Sequence, residues 1–209
     1  MQSLESILRQ SAERHRLLCP RQVLGARMSL VAGEIFELEL PRVDKRLLVI
    51  AETDGCTVDG IIAATGCHAG GRTLSILDFG KVAATFVDTH TEETIRIVPR
   101  REARMLSHHY APAARNKWEA MLIAYQVMPV SELFIVQRVN LNTPLSQILG
   151  RPGKKAVCEI CKEEIINGRE IMNAGNVLCW ACAGHGYYHS SRVQLLLELD
   201  VPNIPKVVD

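Results

Sequence analysis

The spacing of apolar residues in the first third of the chain predicts helices on either side of a buried strand. Apolar positions at helical spacing predict a first helix from about Leu4 to Arg16. Pro20 suits the first position of a second helix, because the N–H that it lacks would have no partner there. The run Arg46–Ala51 is almost wholly apolar, which is typical of a buried strand, and the pattern from Asp54 to Gly66 predicts a third helix.

Shorter apolar runs separated by turn residues predict further strands in the middle of the chain. These strands are expected at Leu74–Leu77, Lys81–Asp88, Thr94–Pro99 and Leu133–Val139. Between the last two, the helical pattern from Arg101 to Tyr125 is interrupted near Pro112, so it predicts two helices or one kinked helix. Strands mixed with helices, without regular βαβ alternation, favour an α+β fold for the first domain, residues 1–145.

The composition changes after this domain. Residues 146–155 contain a proline, two glycines and two adjacent lysines, and are predicted to be a linker. Residues 156–190 hold a small cysteine-containing module, and residues 191–209 are predicted to form a C-terminal helix, Val193–Leu199, and a tail. The predicted architecture is therefore a mixed helix and sheet domain followed by a small finger of the zinc-ribbon or treble-clef kind.

The small module carries two Cys-x2-Cys pairs separated by seventeen residues: Cys158, Cys161, Cys179 and Cys182. Two residues between paired cysteines allow a tight turn to direct both sulfurs at one ion, and two such turns complete a tetrahedral thiolate shell. Between the pairs, Asn167-Gly168 is predicted to be the turn of a short hairpin that includes a strand at Glu170–Met172. We expect a structural Zn²⁺ at these four cysteines. The alternatives are an iron–sulfur cluster, which four thiolates also suit, and four buried cysteines without metal.

The other three cysteines, Cys19, Cys56 and Cys67, are dispersed through the first domain. Dispersed cysteines commonly serve as small core residues. However, Cys19 precedes Pro20 and is the predicted N-cap of the second helix, and Cys56 lies where the third helix begins. Positions at helix N-termini favour thiolate, the form that binds metals and attacks electrophiles. His15 lies four residues before Cys19, so imidazole and thiol could converge on one ion.

The overall composition gives little indication of a specific partner. The 209 residues are 47% hydrophobic and 22% charged, as in ordinary globular proteins, and the formal net charge of +1 gives no reason to expect nucleic acid or membrane as a partner. The N-terminus lacks the features of a secretory signal, and the apolar runs are far shorter than a membrane span. We therefore expect a cytoplasmic protein with reduced thiols.

Several motifs resemble the domain named after the E subunit of formylmethanofuran dehydrogenase. These motifs are HRLLCP at His15–Pro20, ETDGCTVDGIIAATGC at Glu52–Cys67 and LDFGKVAATF at Leu77–Phe86. Members of that family often carry a C-terminal four-cysteine finger. The usual opening of the family, His-Gly-His-x-Cys-Pro-Gly, is matched at His15, Cys19 and Pro20, whereas Leu17 replaces the second histidine and Arg21 the final glycine.

The resemblance implies an α+β fold, a cleft lined by the His and Cys positions, and frequent dimers. On this basis, His15, Cys19 and Cys56 are expected to hold a second transition metal, which Cys67 or His68 could join. Asp54, Asp59, Asp78 and Lys81 would surround them, and Cys19, Cys56, Asp59 and Lys81 are the expected catalytic residues. The implied function is a metal-dependent enzyme or accessory protein that acts on a small molecule in one-carbon or redox metabolism.

Two other functions are alternatives to this one. The finger could be a non-enzymatic binding or regulatory module for protein or nucleic acid, as basic residues beside it and elsewhere suggest: Arg96, Arg100, Arg101, Arg104, Arg151, Lys154 and Lys155. The finger also contains four glutamates, Glu159, Glu163, Glu164 and Glu170, which would repel phosphate, so nucleic acid is not the expected partner. A cysteine hydrolase or thiol oxidoreductase is less favoured, because the first domain has no Cys-x-x-Cys pair.

A homodimer is expected from the C-terminal residues. Leu195, Leu196 and Leu197 are adjacent, and exposed leucines of this kind promote association. With a proline- and glycine-containing linker before the finger, two chains could also exchange their fingers.

Overall fold

The structure is a computed structural model that describes residues 2–15, 17–150 and 152–188, apart from the side chains of residues 14 and 15. The chain divides into two compact units, Met1–Leu149 and Gly150–Asp209. The predicted helix Val193–Leu199 lies outside the described residues.

Helices make up much of the first unit. They are α1 Leu4–His15, α2 Pro20–Ile35, α3 Thr57–Thr65, α4 Ala103–Tyr110, α5 Lys117–Val127, α6 Val130–Leu133 and α7 Leu145–Leu149. Their ends follow local chemistry: Pro20 occupies the first turn of α2, and Gly66 ends α3 with φ 75°, a conformation that glycine adopts readily. The Asn116 side chain caps α5 by accepting the N–H of Glu119. The predicted interruption near Pro112 separates α4 from α5.

The strands of the first unit form one five-stranded sheet in the order β2-β1-β3-β4-β5. They are β1 Leu47–Ala51, β2 Leu74–Ile76, β3 Ala84–Asp88, β4 Thr94–Pro99 and β5 Phe134–Arg138. Only β1 and β2 pair in parallel, with α3 as their connection, and the other neighbours are antiparallel. The central strands β1 and β3 are buried along their whole length. Helices and a mainly antiparallel sheet share one core, which confirms the α+β prediction.

The helices α2 and α3 approach each other through a reciprocal pair of glycines. A Cβ at Gly60 would lie 2.1 Å from the carbonyl oxygen of Gln22, and a Cβ at Gly25 would lie 2.1 Å from that of Thr57. A side chain at either position would therefore push the helices apart. Because Gly25 and Gly60 both lie close to the N-terminal ends of their helices, this contact determines how those two ends meet.

The second unit is built from two small hairpins. Strands β6 Lys155–Val157 and β7 Glu164–Ile166 pair antiparallel, as do β8 Ile171–Asn173 and β9 Asn176–Leu178. A π-helical turn follows at Ala181–His185. The buried cluster of this unit consists of Cys158, Ile165 and Leu178, which is too small a core to stabilise a fold without a cross-link or metal.

The hairpins differ from the predicted hairpin. Asn167 and Gly168 form a turn, as expected, with φ 62° and 67°, but this turn connects β7 to β8, which belong to different sheets. The turn that closes the second hairpin is Ala174-Gly175, with φ 49° and 87°. The first hairpin is closed by the segment that carries Cys158 and Cys161.

Candidate metal centres

The four cysteines of the second unit converge on one point. The sulfurs of Cys158, Cys161, Cys179 and Cys182 all lie within 4.8 Å of one another. The Cys161 and Cys179 sulfurs are 3.9 Å apart. Tetrahedral zinc with Zn–S bonds of about 2.3 Å separates its sulfurs by about 3.8 Å. The spacing of the four thiols therefore fits a metal ion, as the sequence predicts.

Backbone hydrogen bonds shape both cysteine pairs. In the first pair, the N–H of Cys158 donates to the carbonyl of Glu163 and the N–H of Lys162 donates to that of Cys158, each at 3.0 Å. Lys162 has φ 66°, which reverses the chain after Cys161. In the second pair, the N–H of Cys182 donates to the Cys179 sulfur at 3.4 Å. N–H donors of this kind stabilise negative charge on a metal-binding thiolate.

Glu159 links the first cysteine pair to the second hairpin. Its N–H donates to the carbonyl of Val177, and its carboxylate accepts the N–H of Val177, each at 2.9 Å. Val177 lies two residues before Cys179, so these bonds hold the two cysteine pairs next to each other. The sequence suggests that the finger glutamates mainly repel phosphate, whereas Glu159 has a structural role.

The thiols influence one another strongly. The backbone N–H of Cys179 lowers the pKa of Cys158 to about 6, whereas the hydrogen bond with the Cys179 side chain raises the pKa of Cys182 to about 12. One thiolate forms readily and disfavours ionisation of its neighbours, because like charges at this distance repel. A divalent cation would offset that repulsion and allow all four sulfurs to bind as thiolates.

A second pair of thiols lies where α2 and α3 begin. Cys19 is the N-cap of α2 and Cys56 is the N-cap of α3, as predicted. Their side chains are in hydrogen-bonding contact, although the residues are far apart in the sequence. Both are half-buried, so neither is enclosed in the core. The glycine contact between α2 and α3 is the feature of the fold that brings these two helix ends together.

Gln22 holds the backbone of Cys19 in place. Its side-chain oxygen accepts the Cys19 N–H at 2.6 Å, and its amide nitrogen donates to the carbonyl and the hydroxyl of Ser11, both at 3.0 Å. Gln22 and Ser11 are fully buried. This network ties α1 to the start of α2, and it is a positioning element that sequence analysis missed.

The helix N-terminus does not lower the pKa of Cys19 overall. Burial raises the pKa of this thiol, the backbone N–H of Gln22 lowers it, and the Cys56 side chain raises it again, with a net increase. The expectation that a helix N-terminus would favour thiolate at Cys19 is therefore wrong for the metal-free protein. Loss of water around the sulfur outweighs the favourable N–H groups.

Cys67 and His68 lie away from this pair of thiols. Cys56 and Cys67 flank opposite ends of α3, whose nine residues at 1.5 Å each span about 13 Å. Cys67 is 1% exposed, and its thiol donates to the carbonyl of Leu47 at 3.4 Å. The Nδ1 of His68 accepts the N–H of Gly71 at 3.0 Å, which stabilises the glycine-containing loop. Cys67 is a packing residue.

The polar residues predicted near the thiols lie at the carboxyl end of β1 or in α3. Asp59 is half-buried in the first turn of α3. The N–H of Lys81 donates to the carbonyl of Glu52, the residue after β1, at 3.0 Å, and the Lys81 ammonium lies 5.9 Å from the centre of the Phe79 ring. Cys56 follows Glu52 by four residues. Lys81 and the Cys56 loop therefore start from the same end of the central strand.

A buried ion pair at this strand end was not predicted. Arg96 on β4 donates from Nε and one terminal nitrogen to both oxygens of Glu52, at 2.5 and 2.8 Å. The Arg96 guanidinium holds the pKa of Glu52 below its ordinary value, and the charge of Lys81 contributes. The sequence suggests that Arg96 is one of several surface arginines, but its guanidinium is committed to Glu52. Only the register of β1, β3 and β4 reveals this pairing.

His15 is the last residue of α1, and its side chain lies outside the described atoms. Within the described part of the chain, the finger cysteines are the one group in which three or more potential ligand side chains converge. In that same part, no helix is both long enough and apolar enough to cross a membrane.

Comparisons with known proteins place the first unit in a family. The model of the FmdE family, described as "Molybdenum formylmethanofuran dehydrogenase operon", matches residues 14–135, more than half of the chain. The chain belongs to the FmdE family. The family resemblance identified from the sequence motifs is thereby confirmed.

Two individual proteins are similar to the chain. A probable S-adenosyl-L-methionine-binding protein of Archaeoglobus fulgidus is 36% identical over 97 residues, which are 45% of this chain and 26% of that protein. The chain thus matches about a quarter of that relative. The crystal structure of an FmdE-like protein of the tungsten formylmethanofuran dehydrogenase type, from Syntrophus aciditrophicus, has a TM-score of 0.56 at 20% identity, covering 90% of this chain and 96% of that one. The latter likeness concerns the fold.

Proposed function

We propose that this FmdE-family protein holds a structural Zn²⁺ at Cys158, Cys161, Cys179 and Cys182. Zinc suits this donor set because four thiolates at tetrahedral spacing fill its coordination shell and leave no position for a substrate. The small core of the finger supports a structural role, since a metal would supply the cross-link that the apolar residues do not.

We further propose that the first unit carries a reactive site at the meeting point of α2 and α3. The single observation that carries this proposal is the contact between Cys19 and Cys56 at two helix N-termini. In addition, Thr57, the residue after Cys56, has a fully buried hydroxyl with no hydrogen-bond partner among the described residues. Two adjacent sulfurs with N–H groups behind them form a donor set that suits a soft or borderline transition metal.

In this proposal, His15, Cys19 and Cys56 hold the second metal. Three protein ligands leave a coordination position open for water or a small-molecule substrate, and the bound metal would act there as a Lewis acid. Gln22 orients Cys19 through its backbone N–H. Asp59 exchanges a proton with the substrate, and Lys81 offers positive charge to an anionic group on it.

The proposed class is a metal-dependent enzyme or accessory protein of one-carbon or redox metabolism, acting in the cytoplasm as a homodimer. The fold and family support this class, and the name of the Archaeoglobus fulgidus relative raises S-adenosyl-L-methionine as a ligand to test. Nucleic acid is not a proposed partner. Lys154 pairs with Glu170, and Lys155 with Glu164, so these finger lysines are partly neutralised.

Metal analysis of three proteins tests this proposal. Wild-type protein, Cys56→Ser and Cys67→Ser are purified without added metal and analysed by mass spectrometry for metal content per chain. Wild type and Cys67→Ser are expected to contain the finger zinc and a second metal, whereas Cys56→Ser retains only the finger zinc.

Cys67→Ser is the matched control, because it removes a thiol from the same unit at the opposite end of α3. Equal metal content in wild type and Cys56→Ser would contradict the cleft site. The finger zinc is tested separately by Cys179→Ser, which should lose one zinc per chain.

A further inference from the structure

The thiol pair at the start of α2 and α3 has a chemical capacity that does not depend on any metal. Cys19 and Cys56 are in contact and half-buried, so a small reagent reaches the sulfurs, whereas a second protein chain would meet more steric hindrance. The third cysteine of this unit does not share these properties, since Cys67 is sealed in the core.

We propose that Cys19 and Cys56 form a reversible intramolecular disulfide by exchange with a low-molecular-weight disulfide. The thiolate of one cysteine attacks a sulfur of the reagent RSSR, forms a mixed disulfide and releases RS⁻, which takes up a proton. The second cysteine then loses its proton and attacks the protein sulfur of the mixed disulfide, which releases the second RSH. The protein loses two electrons and two protons, and the reagent is reduced to two thiols.

The surrounding structure favours this bond. The contact of the two helices at Gly25 and Gly60 holds the N-caps together, so the sulfurs do not have to find each other through a large motion. The bond itself requires an S–S distance of about 2.05 Å, which side-chain rotation can provide only when the backbones are already close. Gly55 gives the Cys56 side freedom to adjust, because a Cβ there would meet only the Thr53 hydroxyl at 3.7 Å.

The disulfide would act as a switch on the unit. Both sulfurs lose their capacity to ionise, and therefore to bind a metal or to attack a substrate, until a thiol reduces the bond. The inference goes beyond the proposed function, because it requires only the contact between the thiols and holds whether or not the cleft binds a metal.

Peptide mapping of the full-length, zinc-loaded protein tests the proposal. Protein freed of reductant is treated with glutathione disulfide, quenched with acid, alkylated and digested with trypsin and an Asp-specific protease. Trypsin releases Cys19 in residues 17–21, and cleavage before Asp54 and Asp59 releases Cys56 in residues 54–58, apart from Cys67.

The expected product is a link between these two peptides, with a mass about 2 Da below the sum of the reduced peptides, since two hydrogens are lost. Alkylation of Cys19 and Cys56 should be lost together, and dithiothreitol should restore both. In Cys56→Ala, Cys19 should instead retain a mixed disulfide with glutathione. The control Cys67→Ala should form the same link as wild type.

Three results would overturn the proposal. One is full alkylation of both cysteines in the wild type under conditions in which Cys56→Ala carries the mixed disulfide. The others are linkage of Cys19 to a cysteine other than Cys56, and linkage between two chains. The wild-type map decides the question even if a variant fails to fold. Metal content measured on the same samples separates this outcome from the fate of the proposed cleft metal.

Discussion

Replacing Gly60 with alanine should disturb the contact on which the geometry of the first unit depends. The new Cβ would lie 2.1 Å from the carbonyl oxygen of Gln22 and 2.9 Å from the N atom of Ala26. Both neighbours are backbone atoms inside α2, so they cannot rotate away as a side chain could. To reach even 3.0 Å from the carbonyl, α2 and α3 must separate by about 0.9 Å, which is 3.0 minus 2.1.

The expected cost follows from two opposing effects. Overpacking of a rigid core costs about 1 to 3 kcal/mol, and contact with backbone places Gly60→Ala at the upper end, about 3 kcal/mol. Alanine is the better helix former by about 1 kcal/mol, which offsets part of this. The net loss in the free energy of unfolding should therefore be about 2 kcal/mol. For a unit of this size, that lowers the melting temperature by about 4 to 8 °C.

Urea and thermal unfolding of Gly60→Ala, with Gly55→Ala as the control, measure this effect. A Cβ at Gly55 meets its nearest neighbour, the Thr53 hydroxyl, at an ordinary 3.7 Å, so the control should stay within about 0.5 kcal/mol of wild type. Gly60→Ala should also form the Cys19–Cys56 link more slowly. Equal stability of the two variants would refute the inferred role of the glycine contact.

Three further predictions concern the buried polar groups and the finger. Glu52→Gln should cost about 2 kcal/mol at pH 7, because it breaks the charge-assisted pair with Arg96. The pKa of Glu52 is lowered from 4.5 by Arg96, so this stabilisation is present above pH 4.5 and is lost as pH falls through the folded value; the difference from wild type in urea melts should shrink there, and a constant difference would contradict the pairing. Gln22→Leu should cost about 2 kcal/mol by leaving buried acceptors of Ser11 unpaired, and it should slow the Cys19–Cys56 link, whereas unchanged stability would argue against the network. DNA binding at about 150 mM salt should be no tighter than about 10⁻⁴ to 10⁻⁶ M in a fluorescence anisotropy titration, and a nanomolar, sequence-dependent complex would restore the nucleic-acid function.

Local signals in the sequence predicted the parts of the fold that depend on neighbouring residues. Pro20 indicates the start of α2, and Gly66 the end of α3, because each residue favours one backbone conformation at a helix terminus. The Cys-x2-Cys pairs likewise predict the four-thiol cluster, since a tight turn at each pair is enough to aim two sulfurs.

Features that depend on distant pairing could not be predicted. The Glu52–Arg96 pair joins residues 44 positions apart and arises from the register of β1, β3 and β4. In the finger, the turn at Asn167-Gly168 is a local property, and it was predicted. Which strands pair on either side of that turn is a tertiary property, and it was not. The glycine contact between α2 and α3 is equally invisible until the helices are placed together.

X-ray absorption at the zinc edge tests the central claim most directly, namely that the finger cysteines form a four-thiolate metal centre. Cys56→Ser protein, purified without added metal, removes the proposed second site from the spectrum. The predicted result is about one zinc per chain with four sulfur neighbours at about 2.3 Å. A shell of nitrogen or oxygen neighbours at about 2.0 Å, or protein that folds and melts normally without zinc, would contradict the account.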